Sequence, residues 1–143
     1  MNKKIINKIV FYALSFTWGI VMSLIGGITA LVLLILKYKP EKFGYCIYFK
    51  VGKNWGGVNL GPVIITDTGS AVSTKSHEHG HAIQNCVFGP FMIIVSVMSA
   101  ARYWYREFKY YRKGKAPTTA YDSVWFEGSA TKLGTAFIEA LNK

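Results

Sequence analysis

The longest apolar feature of the chain is the stretch Ile9–Leu36, which contains no charged residue. It exceeds the ~20 residues that a helix needs to cross the hydrocarbon core of a bilayer. Three lysines precede it, as in a signal peptide, but the apolar region of a signal peptide is only about 7–15 residues long and ends in small residues. We therefore predict an N-terminal transmembrane helix as an anchor over residues 1–39, in which Gly26-Gly27 kinks the helix or admits a close neighbour.

Apolar and polar residues alternate after the anchor, which is typical of strands with one buried face. The first alternating stretch runs from Phe43 to Val51 and the second from Val58 to Thr66, with a glycine-rich turn at 52–57 between them. Pro62 removes one backbone donor from the second stretch and favours an edge position. The pattern predicts a small β-hairpin.

Helical segments follow. Ser73-Thr74 can cap a helix that continues to about Cys86, before Gly89-Pro90 interrupts it. Residues 86–101 are uncharged but too few for a comfortable membrane span. A last helix is predicted from about Tyr121 to Leu141. The elements predict an α+β membrane protein, with a metal-binding domain over 40–143 that includes the apolar segment 86–101.

Composition supports contact with a membrane. The chain is 51% hydrophobic and carries a formal net charge of +10, and much of that charge flanks apolar stretches. Arg102–Lys115 interleaves basic and aromatic residues, as an interfacial belt does, so a lipid bilayer explains the charge better than nucleic acid. Cys46 and Cys86 form no CxxC pair, and we predict buried thiols.

The histidines of the chain all lie in the stretch Ser76–Ala82, SHEHGHA. On a helix, His77 and His81 project from one face and can bind one metal ion, while Glu78 is placed to take a proton from a water molecule. His79 faces the other side of the helix and is not predicted as a ligand. Gly80 permits another helix to approach closely.

A catalytic zinc site usually has three protein ligands, so one more is required. The candidates are Cys46, Cys86, Glu107, Asp122, Glu127 and Glu139. Glu127 is favoured because Ala130 and Gly134 follow it on the same helix face, which lets Gly80 pack closely against them. We therefore predict His77, His81 and Glu127 as metal ligands.

These residues carry a family resemblance. His77-Glu78-x-x-His81 with a later Glu127-x-x-Ala130 resembles the gluzincin class of zinc metallopeptidases, and the stretch 58–134 resembles a group of small, uncharacterised bacterial membrane proteins. The resemblance implies a Zn²⁺ ion held by His77, His81 and Glu127, with Glu78 as general base. The interval from His81 to Glu127 is longer than in soluble gluzincins.

The expected activity is hydrolysis of peptide or membrane-protein substrates near the bacterial cell membrane, with the site on the cytoplasmic side. The alternative is a non-catalytic metal-binding membrane module that recruits a partner. A full membrane crossing by 86–101 would separate the histidines from Glu127, so this segment is predicted to be re-entrant or to lie in the interface.

Overall fold

The computed structural model describes residues 3–142 and has a mixed α+β architecture. A four-stranded sheet packs among helices, as the sequence predicts for the fold class. The principal elements are α1 (Lys3–Phe16), α2 (Ile20–Ile35), β1 (Glu41–Phe43), β2 (Cys46–Lys50), β3 (Gly57–Leu60), β4 (Val63–Thr66), α3 (Val72–Phe88), α4 (Met92–Arg106) and α5 (Trp125–Leu141).

The predicted continuous N-terminal helix is wrong, because α1 and α2 are bent by 90°. The break is held by the end of α3: Trp18 Nε1 donates to the Val87 carbonyl at 3.1 Å, and Asn85 Nδ2 donates to the Gly19 carbonyl at 3.3 Å. The 16 residues of α2 span about 24 Å, less than the ~30 Å hydrocarbon core. Each half by itself is therefore shorter than the hydrocarbon core, and the two halves meet the length and composition of a membrane span only when taken together.

The sheet has the order β1-β2-β4-β3, with a parallel central pair and antiparallel outer pairs. The prediction of one hairpin is therefore wrong, since each predicted strand contains a hairpin of its own. The turns lie at Gly44 and Gly61, whose φ angles of +59° and +66° favour glycine. Pro62 belongs to the second turn, and the two edge strands are β1 and β3, of which β3 carries Val58.

The predicted histidine helix is present as α3, although no side chain caps its first residue. It ends at Gly89, where a φ of +56° lets the chain leave the helix. A short 3₁₀ turn, Gly89–Phe91, then leads into α4. The glycine and proline thus end α3 where the sequence predicts.

The helical stretch Val72–Tyr111 is long and apolar enough to cross a membrane, judged by length and composition. It nevertheless folds back on itself at the 3₁₀ turn. Ser99 on α4 donates to Glu127, whose other carboxylate oxygen lies 3.2 Å from the His81 ring on α3. A straight helix would separate His81 from Ser99 by about 27 Å. The apolar segment therefore returns to the histidines.

The closest helix pair is α3 with α5, as the small residues predict. A Cβ atom on Gly80 would collide with the Ala130 backbone, and one on Gly134 would collide with the carbonyl of Ser76. Ala130 is fully buried at this contact. The helix backbones therefore touch, which brings their side chains within reach of a common point.

Buried apolar side chains of residues 3–142 form three clusters around this helix pair and the sheet. The N-terminal helices take part in all of them: Phe11 packs with Tyr45 and Ala82, Met22 with Met92, and Leu33 with Phe49. Gly26 contacts the Leu60 carbonyl, which is the close neighbour expected at this glycine pair. The helices α1 and α2 therefore support the sheet and α3.

Replacing Gly134 with alanine should destabilise the protein. Overpacking against backbone costs about 1–3 kcal/mol or more, which outweighs the ~1 kcal/mol that alanine gains over glycine in a helix. Gly27→Ala is the matched control, since a Cβ atom there meets no atom within 4 Å. Denaturant unfolding in detergent should show a loss for Gly134→Ala and none for Gly27→Ala; equal stability of both variants would contradict the close contact.

Candidate metal centre

Three side chains converge between α3 and α5. His77 and His81 lie one helical turn apart, and their Nε2 atoms lie 3.0 Å and 3.2 Å from Oε2 of Glu127. Their candidate ligand atoms all lie within 4.8 Å of one another, so the group could hold a metal ion. The structure thus brings together the three residues that the sequence predicts as ligands.

Thr131 determines the tautomer of His77. The threonine hydroxyl donates to the Glu127 carbonyl at 3.2 Å, so its oxygen is left to accept from Nδ1 of His77 at 2.9 Å. His77 therefore carries a proton on Nδ1. Its Nε2 lone pair faces the Glu127 carboxylate when the ring is neutral.

A second network determines the tautomer of His81. Gln84 Nε2 donates to the Phe126 carbonyl at 2.8 Å and to the Ser129 hydroxyl at 2.6 Å, which orients the amide. Its Oε1 therefore accepts from Nδ1 of His81 at 2.7 Å. Both histidines thus direct Nε2 at the same carboxylate oxygen.

This arrangement requires a cation. Two lone pairs on nitrogen and those of a carboxylate oxygen repel one another unless a proton or a metal ion lies among them. Bonds of ~2.0–2.1 Å in a tetrahedral zinc site separate the ligand atoms by about 3.3 Å, close to the 3.0 Å and 3.2 Å found here. The donor set could therefore hold a metal ion.

Glu127 is fully buried. Burial opposes its ionisation, but the hydrogen-bonded rings of His77 and His81 and the hydroxyl of Ser99 hold its pKa well below its usual range. Ser99 donates to Oε1, which leaves Oε2 for the histidine side. Sequence reasoning missed Ser99, because its role depends on α4 turning back on α3.

Glu78 lies beside this cluster and is 6% exposed. Burial raises the pKa of its carboxyl group, and the nearby charges of His81 and His77 oppose that effect. Across residues 3–142 we find no hydrogen bond to this side chain. Glu78 lines the same cavity as the two histidines, and a Cβ atom on Gly57 would lie 3.1 Å from its Oε1. The carboxyl group is therefore placed to exchange a proton with a molecule in the cavity.

His79 points away from the cluster, as its helix position predicts. It is fully buried, stacks on Phe137 with ring centroids 4.1 Å apart, and accepts a hydrogen bond from the Tyr45 amide at 3.2 Å. Burial lowers the pKa of His79 to about 4. This histidine therefore belongs to the apolar core and remains neutral.

The other candidate ligands lie outside the cluster. Within the described part of the chain, the only carboxylate grouped with the histidines is that of Glu127. Cys46 and Cys86 are free thiols that pack in the core near α1, where Cys86 contacts Ser15. Asp122 lines a neighbouring hollow instead. Neither a thiol nor a second carboxylate thus joins the histidines.

Two hollows meet at the candidate centre, and His77, Glu78 and Tyr121 line both. Burial raises the pKa of Tyr121 to about 12, so its hydroxyl stays protonated and can donate. The Arg102 guanidinium instead donates to the Tyr121 and Ala120 carbonyls and so holds this loop. Tyr103 lines both hollows as well.

Comparison of the chain with models of protein families, with curated proteins and with solved structures finds no match.

Loss of the Glu127 carboxylate should release the metal. Glu127→Ala removes the oxygen that both histidines face and should strongly reduce zinc content after dialysis against a mild chelator. Glu107→Ala and Glu139→Ala are matched controls and should retain zinc, as should His79→Ala, because that ring faces the core. A Glu127→Ala protein that holds zinc as firmly as the wild type would contradict this ligand set.

Proposed function

We propose that the chain is a zinc metallopeptidase that hydrolyses peptide bonds at a membrane. The observation that carries the proposal is the convergence of two histidine Nε2 atoms and a buried carboxylate oxygen, with the Glu78 carboxyl group in the same cavity. The His-Glu-x-x-His pattern and the later Glu127 support zinc, because this donor set is typical of catalytic zinc.

Zinc at this position would polarise the scissile carbonyl and acidify water. Glu78 acts as general base: it accepts a proton from the attacking water and later donates that proton to the leaving amine. The raised pKa of Glu78 suits both steps, because a general base is most effective when its pKa lies near the working pH. The Tyr121 hydroxyl is a candidate donor to the developing oxyanion.

The edge strand β3 offers a place for the substrate backbone. It pairs with β4 on one side, while Gly57, Val58 and Asn59 line the cavity beside Glu78. An extended peptide can add to such an edge through main-chain hydrogen bonds. A bound peptide bond would then lie next to the general base.

Exposed apolar side chains support a location at a lipid bilayer, which we propose to be the bacterial cell membrane. They follow α2, the 3₁₀ turn and the outer face of α4, and include Leu24, Ile28, Leu31, Ile35, Phe91, Ile94 and Val97. Large exposed apolar side chains on helices that contact each other are typical of proteins that bind a membrane or a partner. Basic and aromatic residues at 102–115 continue the surface and complement anionic headgroups.

The fold supports a re-entrant or interfacial position for 86–101. This segment turns back beside α3, so the histidines and Glu127 meet on one side of any membrane that the segment enters. Five lysines lie within 20 residues after Leu36 and three precede Ile9, which favours the cytoplasmic side for the segment after Leu36. We therefore propose a cytoplasmic site.

Glu78→Gln should retain zinc but lose activity, because an amide cannot accept the proton of water. The expected loss is at least ~10²–10⁴-fold. The assay is cleavage of a broad peptide library by detergent-solubilised protein, with zinc content measured in parallel. If the variant cleaves as fast as the wild type, or if neither cleaves any peptide, the non-catalytic metal-binding module becomes the better reading.

Cysteine labelling tests the topology. Single cysteines at positions 70 and 118, in a chain whose two native cysteines are replaced by serine, should react with a membrane-impermeant reagent from the same side. These positions flank the segment that we propose not to cross the membrane. Labelling from opposite sides would contradict the re-entrant arrangement.

A further inference from the structure

A cavity of about 240 Å³ lies between β3 and α4, next to His77, Glu78 and His81. The residues of α4 that line it lie three or four positions apart and therefore share one face of the helix. Small side chains form the middle of this face, and larger ones flank it; the residues are Met92, Ser96, Ser99, Ala100, Tyr103 and Trp104. The hollow therefore exists because α4 presents serine and alanine, instead of larger residues, to the metal centre.

The hydrogen-bond pattern of β3 determines which of its groups face this cavity. The Asp67 amide donates to the Gly56 carbonyl at 2.9 Å, and paired residues of an antiparallel ladder exchange bonds at every second position. Val58 therefore bonds to β4, whereas Gly57 and Asn59, which both line the cavity, direct their N–H and C=O groups away from β4. A peptide paired there projects alternate side chains to opposite sides.

We propose that the cavity is the subsite for one bulky apolar side chain of an extended peptide paired with β3, and that Ser96 and Ala100 set its size. The identity of the bound molecule as a peptide rests on the proposed peptidase function. A dry cavity of about 150 Å³ accepts benzene in another protein, so about 240 Å³ holds a leucine or phenylalanine side chain.

The chemistry of the wall favours apolar over charged side chains. The residues that α4 contributes to the cavity carry no charge, and Glu78 contributes a carboxyl group to its lining. A charged side chain placed there would lose its hydration without gaining a partner on α4, and an aspartate would also face Glu78. The second hollow, of about 410 Å³, differs because Ser73, Thr74 and Asp122 line it.

Binding to the Glu78→Gln protein, loaded with zinc, tests the subsite without requiring turnover. The probes are blocked heptapeptides of glycine and serine that differ only in the central residue, which is glycine, aspartate, leucine or phenylalanine. We expect the leucine and phenylalanine peptides to bind at least about tenfold more tightly in calorimetry, because burial of either side chain removes apolar surface from water. Equal affinity for all four peptides would overturn the proposal.

Two variants with the same substitution locate the effect. Ala100→Leu, made in the Glu78→Gln protein, fills the cavity and should reduce the preference for leucine and phenylalanine to less than about threefold. Ala101→Leu is the control, because Ala101 is the next residue on α4 and is exposed like Ala100, but does not line the cavity. It should leave the preference unchanged. Zinc content and melting temperature are measured for both variants.

The subsite proposal would also be overturned if Ala100→Leu still bound the leucine and phenylalanine peptides preferentially, or if Ala101→Leu lost this preference to the same extent. If Ala100→Leu fails to fold, Ser96→Val fills the same hollow with a smaller change and carries the same expectation. The peptidase proposal is tested separately, by cleavage. If wild-type protein cleaves none of the four peptides, that proposal fails, whereas the binding measurements still test the subsite because they do not depend on cleavage.

Discussion

Direct contact between the backbones of α3 and α5 is the constraint on which the site depends. Gly80 and Gly134 have no side chain to separate the helices, and Ala130 fills the remaining space between them. This close contact fixes the position of Glu127 relative to the two imidazoles, whose Nε2 atoms lie 3.0 Å and 3.2 Å from its Oε2. A larger side chain at Gly80 or Gly134 would push the helices apart and shift these atoms relative to one another.

The same contact creates an electrostatic requirement. Bringing a carboxylate into the interior costs several kcal/mol unless positive charge and hydrogen bonds compensate it. Glu127 receives a hydrogen bond from Ser99 and faces two rings whose outer nitrogens are committed to Thr131 and Gln84. Those outer contacts leave both Nε2 lone pairs directed at the carboxylate oxygen, which they repel. A bound cation removes this repulsion, so the arrangement is suited to a metal ion.

The two faces of helix α4 differ in the residues that they present. Its inner face carries small and polar residues towards the metal centre, including Ser99, while its outer face exposes large apolar side chains such as Ile94 and Val97. This division follows from helix periodicity, since residues three or four positions apart share a face. It links the proposed membrane surface to the candidate centre, so that the depth of α4 in a bilayer would also set the depth of the site.

Local spacing was enough to predict α3, its end at Gly89, the shared face of His77 and His81, and the small-residue face of α5, because each depends on periodicity and backbone preference. Tertiary structure decided the rest. The apolar N-terminal stretch bends where the end of α3 binds the backbone of Gly19, and the strands pair in an order that no local pattern specifies. Ser99 likewise reaches the centre through a chain reversal. Such contacts join residues far apart in the chain, so their energies depend on the folded arrangement and leave no periodic signal in the sequence.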